Sequence, residues 1–335
     1  MSGADPARLL VSSWGRTFLP LLVLAAVALL VLALSVALGS VRIPAGELWA
    51  VIRGEGSSLH QTLVLELRAP RALAAFATGG LLAVAGALMQ ILLRNPLADP
   101  YVLGVSGGAA VGALFAMLSG LGAAVVSGSA FAGALLSTFL VFGLAHGTGS
   151  WTPSRLLLTG IVVAAGWGAI ITLMLAVGPA ERLPGMLYWL MGDLSYARSP
   201  WPALIGLVLV CLVLAPLGRS LNVLARGPLQ AAALGVAVRP MEWGIYLAAC
   251  VLTALAVTTA GTIGFVGLVV PHMLSLVLGN DQRVILPACA LAGGSLLVLA
   301  DTLARTVMAP EQLPVGVITA LLGVPTFLYL LYRSR

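Results

Sequence analysis

Two arginines flank a proline in Arg68-Ala-Pro-Arg71, immediately before a long apolar run. A guanidinium group suits bidentate binding of a carboxylate better than a lysine ammonium does. We therefore interpret the pair as an outward-facing cationic edge that receives a partner, with anchoring at the membrane interface as the alternative. Further along, Asp301 and Arg305 have the i, i+4 spacing of a helical ion pair, which either supports its helix locally or extends this charged rim.

The sequence carries no pattern for nucleotide or metal chemistry. It contains no lysine and therefore no G-x-x-x-x-G-K-[ST] loop for ATP. Its three histidines are scattered, and its three cysteines lie singly inside apolar runs without metal or redox spacing. We expect no catalytic residue, no metal site and no cofactor bound by this chain. If ATP drives its activity, another subunit must hydrolyse it.

The composition is that of a membrane protein. Apolar residues make up 60% of the chain and charged residues 8%, against about 25% charged residues in soluble domains. The net charge of +6 is spread over single arginines between apolar runs rather than gathered in patches. This distribution argues against nucleic-acid binding and is typical of the arginines that orient a protein in the lipid bilayer.

About ten apolar runs approach the length needed to cross a bilayer. This predicts an all-α polytopic membrane protein, with residues 1–335 forming one transmembrane domain. The 39 glycines recur inside the runs and predict close helix packing. The predicted spans are 18–38, 73–93, 102–118, 124–145, 156–177, 202–217, 243–261, 263–278, 285–304 and 315–332.

The charge pattern orients these spans. With ten spans, ten of the 17 basic residues fall on the side that holds both termini and seven on the other. Basic residues accumulate on the cytoplasmic side, so we expect both termini to be cytoplasmic. The first run is longer than the apolar region of a signal peptide and is interpreted as a retained helix.

Three stretches interrupt the apolar pattern. Residues 94–100 and 260–272 combine glycine, proline and polar residues, and irregular backbone at membrane depth must be shielded by protein or line a cavity. Residues 218–242, on the predicted cytoplasmic side, are amphipathic. They predict either a pair of short helices against a soluble partner or a helix lying on lipid headgroups.

Acids within apolar context are candidates for ion coupling. Asp193, Asp301 and Glu311 all fall near predicted outer ends, where water reaches them. This placement disfavours a secondary transporter driven by an ion gradient, which would need acids near the membrane centre. A membrane-embedded enzyme is also disfavoured, because no convergent set of ionisable residues is visible.

Several long motifs now identify a resemblance. From about Leu67 to Leu331 the chain resembles the FecCD family of permeases, the type II ABC importers of iron-siderophores, haem and cobalamin. The motifs that carry the resemblance are LRAPR (67–71), GALMQILLRNPLADPYVLGVSGGAAVGA (86–113), SRLLLTG (154–160), GTIGFVGLVVPH (261–272), DQRVILP (281–287), LADTLAR (299–305) and the run that follows Glu311.

The resemblance implies an assembly in the bacterial inner membrane. Two copies of a ten-helix subunit enclose a pathway, two cytoplasmic ATPase subunits use ATP and Mg, and a periplasmic binding protein delivers the cargo. A wide, weakly binding passage suits a large cargo that the binding protein has already selected. Residues 186–192 are locally similar to cobalamin permeases, whereas iron chelates are the commoner cargo of the family.

The resemblance also implies roles for individual residues. Those that match docking positions for the binding protein are Arg68, Arg71 and Arg305. Asn95 and Leu97 match one cytoplasmic gate of the pathway, and Ser154 matches part of a second gate. Those that match the segment coupled to the ATPase are Leu224, Arg226, Leu234, Gly235 and Arg239. The chain departs from the family at Pro153, where a relative carries a hydroxyl residue, and at Ser275, where arginine is more frequent.

Overall fold

The computed structural model describes residues 6–39, 41, 43–146, 152–197 and 199–333, and within them the chain is helical without any strand. Arg42, Arg198 and Arg335, which enter the predicted orientation, lie outside these residues. The predicted all-α class is confirmed. In chain order the helices are α1 Pro6–Ala37, α2 Ala45–Ile52, α3 Ser58–Gln61, α4 Ala69–Leu93, α5 Val105–Leu118, α6 Ala123–His146, α7 Pro153–Val177, α8 Leu183–Met191, α9 Trp201–Leu214, α10 Gly218–Ala225, α11 Pro228–Ala233, α12 Val238–Ala260, α13 Val266–Leu278, α14 Gln282–Thr306 and α15 Val315–Arg333.

Ten apolar helices overlap the ten predicted spans. Six apolar segments among the described residues are long enough to cross a membrane alone, and α9 with α10 passes the same test as a pair bent by 75°. The remaining three, α5, α13 and α15, are shorter. A π-helical turn at Thr62–Arg68 joins α3 to α4, so that α4 begins one turn before its predicted span.

Helix α4 forms the centre of the bundle, packed among α12, α13 and α14. Glycines permit this close approach: a Cβ on Gly79 would lie 2.2 Å from the carbonyl oxygen of Gly293 in α14. A Cβ on Gly86 would lie 1.8 Å from the carbonyl oxygen of Gly267 in α13. By contrast, α7 is apolar but only 6% of its span is buried, and an exposed apolar helix surface faces lipid or another chain.

The irregular stretch at 94–100 is confirmed, and that at 260–272 is confirmed only over 261–265, because α13 begins at Val266. Arg94 ends α4 in the left-handed conformation with φ 49°, and a turn leads into a 3₁₀ helix at Pro100–Leu103. Residues 261–265 separate α12 from α13, with positive φ at Gly261 and Phe265. The hydroxyl oxygen of Tyr101 accepts a hydrogen bond of 3.1 Å from the amide of Ile263 and joins the two stretches.

Helices α4 and α14 run antiparallel and set the two ends of the molecule. The start of α4 contacts the end of α14 through Arg71 and Asp301. The 25 residues of α4 then carry the chain about 37 Å to the opposite end, where Asn222 of α10 contacts Asp281 just before α14. The two ends are called outer and inner after the predicted orientation.

Candidate functional sites at the two ends

The three predicted docking arginines line one pocket of about 340 Å³ at the outer end, called here the outer pocket. Its other polar lining residues include Glu66, Ser195 and Gln312. Arg68 and Arg71 lie one turn apart where the π-helical turn passes into α4, and Arg305 lies in the last turn of α14. The fold therefore brings together residues that are more than 230 positions apart.

Asp301 lies beneath the outer pocket and is fully buried, with 0% exposure. Arg71 donates to its carboxylate through Nε at 3.0 Å and Nη2 at 2.8 Å, while Nε of Arg305 lies 2.9 Å from Oδ2. The i, i+4 ion pair expected from the sequence is confirmed. The expectation that water reaches the outer acids is wrong for Asp301, because two guanidinium groups take the place of water around it.

The other two outer acids differ from each other. Asp193 is also buried, contrary to expectation, and its Oδ1 accepts a hydrogen bond of 2.8 Å from the amide of Ser195. Glu311 is exposed, as expected. None of the three therefore lies unpaired at the membrane centre, where an ion-coupled carboxylate would be needed.

Arg68 does not form the exposed cationic edge that the sequence indicated. Its side chain is buried and donates to the carbonyl oxygens of Val36 at 3.1 Å, Ala37 at 3.0 Å and Val41. The last carbonyls of a helix lack intrahelical partners, and a cation is favourable at the negative end of the helix dipole. Arg68 thus caps the end of α1, a role that depends on where α1 ends in space.

Arg305 is similarly buried and donates through Nη2 to the hydroxyl of Ser35 in α1 at 2.9 Å. Arg71 is the most accessible of the three, with 13% of its side chain exposed, and it also donates to Oε1 of Gln312 at 2.8 Å. A docking role for the three remains a prediction, and Arg71 with Gln312 is the part of the pocket that a partner reaches first.

At the inner end, residues 218–242 form the predicted pair of short helices, α10 and α11, followed by the start of α12. Leu224 is buried and holds α10 against the bundle. Arg226 and Arg239 are exposed, and Gly235 ends α11 with φ 80°. Of the residues assigned to coupling, Leu224 therefore serves packing, whereas the other four lie at the surface.

Two leucines of this segment are strongly exposed. Leu234 is 71% exposed and Leu229, which the sequence analysis did not single out, is 87% exposed. Leu229 could have been found from the sequence, because proline is favoured at the first position of a helix. Pro228 therefore indicates the start of α11 and places Leu229 in its first turn. Exposed apolar residues on a short amphipathic helix are typical of a contact with lipid or protein.

Behind α10 lies a cavity of about 650 Å³, called here the inner pocket. Its walls are the turn after α4, the end of α10, the end of α13 and the start of α14. The polar residues that line it are Gln90, Arg94, Asn95, Asn222, Arg226, Ser275, Asn280, Asp281, Gln282 and Arg283.

Asp281 organises one wall of the inner pocket. Its carboxylate accepts from Arg283 Nη2 at 2.6 Å and from Asn222 Nδ2 at 2.8 Å. The hydrogen bond from Arg283, and to a smaller extent that from Asn222, holds the pKa of Asp281 well below its usual value. The side chain of Asn222 also accepts from the amide of Gln282 at 2.7 Å, so α10 and the start of α14 are firmly joined.

The residues of the two predicted gates lie in different elements, the turn after α4 and the start of α7. Asn95 and Leu97 are exposed in the turn after α4, where Oδ1 of Asn95 accepts from the amide of Leu97 at 2.9 Å. Ser154 is exposed in the first turn of α7 and is absent from the described lining of the inner pocket. Both gate assignments remain predictions.

Asp99 in the same turn caps the 3₁₀ helix by accepting from the amide of Tyr101 at 2.7 Å. Burial raises the pKa of Asp99 to about 6, against the opposing effect of that hydrogen bond. A cavity of about 370 Å³ beside Tyr101 is lined by small residues that include Gly107, Thr262 and Gly264. Weakly polar walls of this kind suit passage rather than tight binding.

Comparisons with known proteins place the chain among transporters. The FecCD transport family profile matches residues 24–333. An uncharacterized ABC transporter permease protein, YvrB of Bacillus subtilis, is 39% identical over 90% of this chain and 90% of its own length. The vitamin B12 import system permease protein BtuC of Vibrio cholerae is 41% identical over 87% of this chain and 88% of its own length. A solved structure, an inward-facing conformation of an ABC transporter proposed to be of the metal-chelate type, superposes with TM-score 0.82 at 28% identity, covering 93% of this chain and 98% of that one.

Proposed function

The chain belongs to the FecCD transport family of ABC transporter permeases, and from this premise we propose that it is the membrane subunit of an ATP-driven importer of a large metal chelate. In this role it carries the cargo from the periplasm to the cytoplasm through a bacterial inner membrane. The permease provides the passage, and ATP with Mg is used by a separate ATPase subunit.

The observation that carries this proposal is the exposed apolar surface formed by Leu229 of α11 and Leu234 at its C-terminal end. Leu229 and Leu234 project from a short helix pair that Leu224 anchors in the bundle. A soluble partner seated on this surface can transmit its movement to α14, because Asn222 and Asp281 join α10 to α14. We assign the coupling contact with a cytoplasmic ATPase to this surface, with two ATPase subunits serving two permeases.

The second permease would be another copy of this chain. Helix α7 has a mean hydropathy of 2.2 over its span while only 6% of that span is buried, and a Cβ on Gly166 or Gly168 would meet no atom within 4 Å. Small residues on an exposed apolar helix favour close helix association in membranes. A homodimer would also provide a second copy of each predicted gate, that of Asn95 and Leu97 and that of Ser154.

The outer pocket would receive the periplasmic binding protein. Three guanidinium groups face two carboxylates, those of Asp301 and Glu66, which leaves a net charge of +1 for an acidic group of the partner. This contact delivers the cargo above the passage. Selectivity would then reside mainly in the binding protein, because the weakly polar passage offers few groups that could distinguish one chelate from another.

Cobalamin is the cargo that the relatives favour, since the BtuC proteins of Vibrio cholerae and Escherichia coli are named for vitamin B12 import and are about 40% identical to this chain. Iron-siderophores and haem are the other chelates to be tested. Cobalamin shares with them the size that requires a wide and weakly binding passage.

Reconstitution tests the proposal. The chain is purified with its co-encoded ATPase and binding protein, and the binding protein is titrated with cobalamin, haem and ferric siderophores. We expect tight binding of one chelate and its ATP-dependent uptake into vesicles that contain the permease. Uptake that requires no ATPase and follows an ion gradient would overturn the proposal in favour of a secondary transporter.

A further inference from the structure

We infer, on the basis of the proposed function, that the inner pocket receives an acidic side chain of the cytoplasmic ATPase, which binds Arg94 and Arg226. The exposed leucines of α11 would then provide the apolar part of the interface. The inner pocket would provide a charged contact directly beside the turn after α4, which holds the predicted gate residues Asn95 and Leu97.

The charges of the inner pocket are unequally matched. Arg283 is neutralised by Asp281, to which it donates three hydrogen bonds of 2.6 to 3.1 Å. Within the described part of the chain, the side chains of Arg94 and Arg226 make no hydrogen bond and no ion pair within 4 Å. These two guanidinium groups therefore have donors available for a carboxylate from outside the chain.

The remaining nearby charges do not remove this excess. Glu242 in the first turns of α12 interacts with Arg94 and also with Arg239. The charged residues that line the pocket are three arginines, Arg94, Arg226 and Arg283, and one carboxylate, that of Asp281, and 3 − 1 leaves two positive charges. An acidic side chain is the partner group that balances them.

Gln282 provides an independent indication that the pocket is incomplete. Its side chain lines the inner pocket and is only 8% exposed, yet its Oε1 has no hydrogen-bond partner among the described residues. Leaving such a group buried and unpaired is unfavourable. Its Nε2 donates only a long bond of 3.4 Å to Asn280. Rotation of the amide by 180° would present the N–H group to an incoming carboxylate.

Arg94 lies where a contact with the ATPase would act on a predicted gate. Arg94 ends α4 and precedes Asn95, whose side chain holds the turn that contains Leu97. A carboxylate seated on Arg94 and Arg226 would connect the turn after α4 to α10 through the ATPase. Movement of the ATPase would then act on the gate directly as well as through α14.

The absence of lysine from this chain permits a specific cross-linking experiment. Arg226→Lys and Arg94→Lys each keep the positive charge and introduce the sole side-chain amine of the permease. A carbodiimide then joins that amine to a carboxylate in direct contact, and the linked peptides are identified by mass spectrometry. Arg219→Lys is the matched control, because Arg219 is exposed on the same helix α10 but does not line the inner pocket.

We expect amide cross-links from positions 226 and 94 to an acidic residue of the ATPase, and at least tenfold fewer from position 219. Cross-links confined to Asp281 or Glu242 of the permease, or to serine headgroups of lipid vesicles, would overturn the inference. Equal cross-linking from position 219 would overturn it as well, since it would indicate a diffuse contact rather than a built pocket.

Affinity measurement separates this inference from the proposed function. We expect Arg226→Gln to weaken ATPase binding to the purified permease about tenfold, which corresponds to about 1.4 kcal/mol, and Arg219→Gln to leave it unchanged. If the unmodified permease binds no ATPase, the proposed function itself fails. If it binds the ATPase and Arg226→Gln binds equally well, the function stands and the assigned contact is wrong.

Discussion

The outer and inner pockets are each lined by three arginines, but the fold uses the guanidinium groups differently. At the outer end, Arg71 and Arg305 enclose Asp301, and Arg68 caps α1. Among the described arginines of the inner pocket, only Arg283 has a carboxylate partner from its own chain at hydrogen-bond distance. The outer arginines therefore stabilise the permease itself, whereas the inner pair Arg94 and Arg226 is available to a partner.

This difference has a physical origin. Asp301 is fully buried among helices, and a buried carboxylate requires both opposite charge and hydrogen bonds. The inner arginines end helices at the surface, where water solvates them until a partner arrives. The same residue type is thus structural at one end and available for recognition at the other, and substitution should separate the two roles.

Removal of the outer carboxylate should have the largest effect. Asp301→Ala leaves Arg71 and Arg305 without their common partner in a buried site, and breaking a buried ion pair from one side costs about 3 to 5 kcal/mol. We expect a much lower midpoint of thermal unfolding for the purified permease in detergent. Glu311→Ala, at an exposed acid of the same end, is the matched control and should change stability by less than about 0.5 kcal/mol. Equal midpoints for the two variants would contradict the structural role of the outer arginines.

Docking at the outer pocket is better tested at Gln312 than at the arginines, because reversing the charge of Arg68 or Arg71 would also remove internal contacts. Gln312→Glu keeps an acceptor for Arg71, which now donates to Gln312 at 2.8 Å, and adds a negative charge at the rim. We expect binding of the periplasmic binding protein to weaken about tenfold at low salt, with a smaller difference at high salt because the charges are screened.

Gln312→Leu is the control for this experiment. It removes the hydrogen bond to Arg71 without adding charge, so the binding protein should bind it nearly as well as the unmodified chain. If Gln312→Glu also binds normally at low salt, the outer pocket does not receive an acidic group of the partner.

The contrast between the two pockets was only partly predictable from the sequence. The ten apolar runs, the irregular stretch at 94–100, part of that at 260–272 and the helix pair in 218–242 follow from local composition, and the structure agrees with them. The i, i+4 spacing also predicted the contact between Asp301 and Arg305. These features depend on residues that are neighbours in the chain.

The environment of each arginine could not be predicted in the same way. Arg71 and Asp301 are 230 residues apart, and their contact requires the antiparallel packing of α4 and α14. The inward direction of Arg68 depends on the position in space of the last carbonyls of α1. Charge alone indicated a cationic edge, because a sequence does not reveal which helix end lies beside a guanidinium group.

Asp99 can be compared with Asp301, because it is a carboxylate at the inner end that has no arginine partner at hydrogen-bond distance among the described residues. Asp99 is partly buried without a basic partner at hydrogen-bond distance, and its pKa is raised to about 6 by burial. Because the folded pKa exceeds the unfolded value of 3.8, ionisation of Asp99 opposes folding, and the penalty grows as pH rises from about 4 to 6. Asp99→Asn keeps the acceptor for the Tyr101 amide and removes the charge. We expect the variant to be the more stable by about 1 to 3 kcal/mol at pH 8, with a smaller advantage at pH 4.5, measured by thermal unfolding at both pH values. An advantage that is the same at both would show that ionisation of Asp99 carries no cost.

The smallest expected effect concerns the inner arginines and is the counterpart of Asp301→Ala. Arg94→Gln and Arg226→Gln remove guanidinium groups that make no hydrogen bond or close ion pair within the described residues, so each should change the stability of the isolated permease by less than about 0.5 kcal/mol. Thermal unfolding without ATPase checks this, and Arg68→Gln, which loses three carbonyl contacts at a buried site, is the comparison from the outer end. If the inner variants have an unfolding midpoint as low as that of Arg68→Gln, the inner arginines stabilise the fold as the outer ones do, and the two ends of the molecule do not differ. If the inner variants have the same unfolding midpoint as the unmodified chain while Arg68→Gln has a lower one, the inner variants keep a stable fold. Any loss of ATPase binding by them can then be attributed to the missing contact.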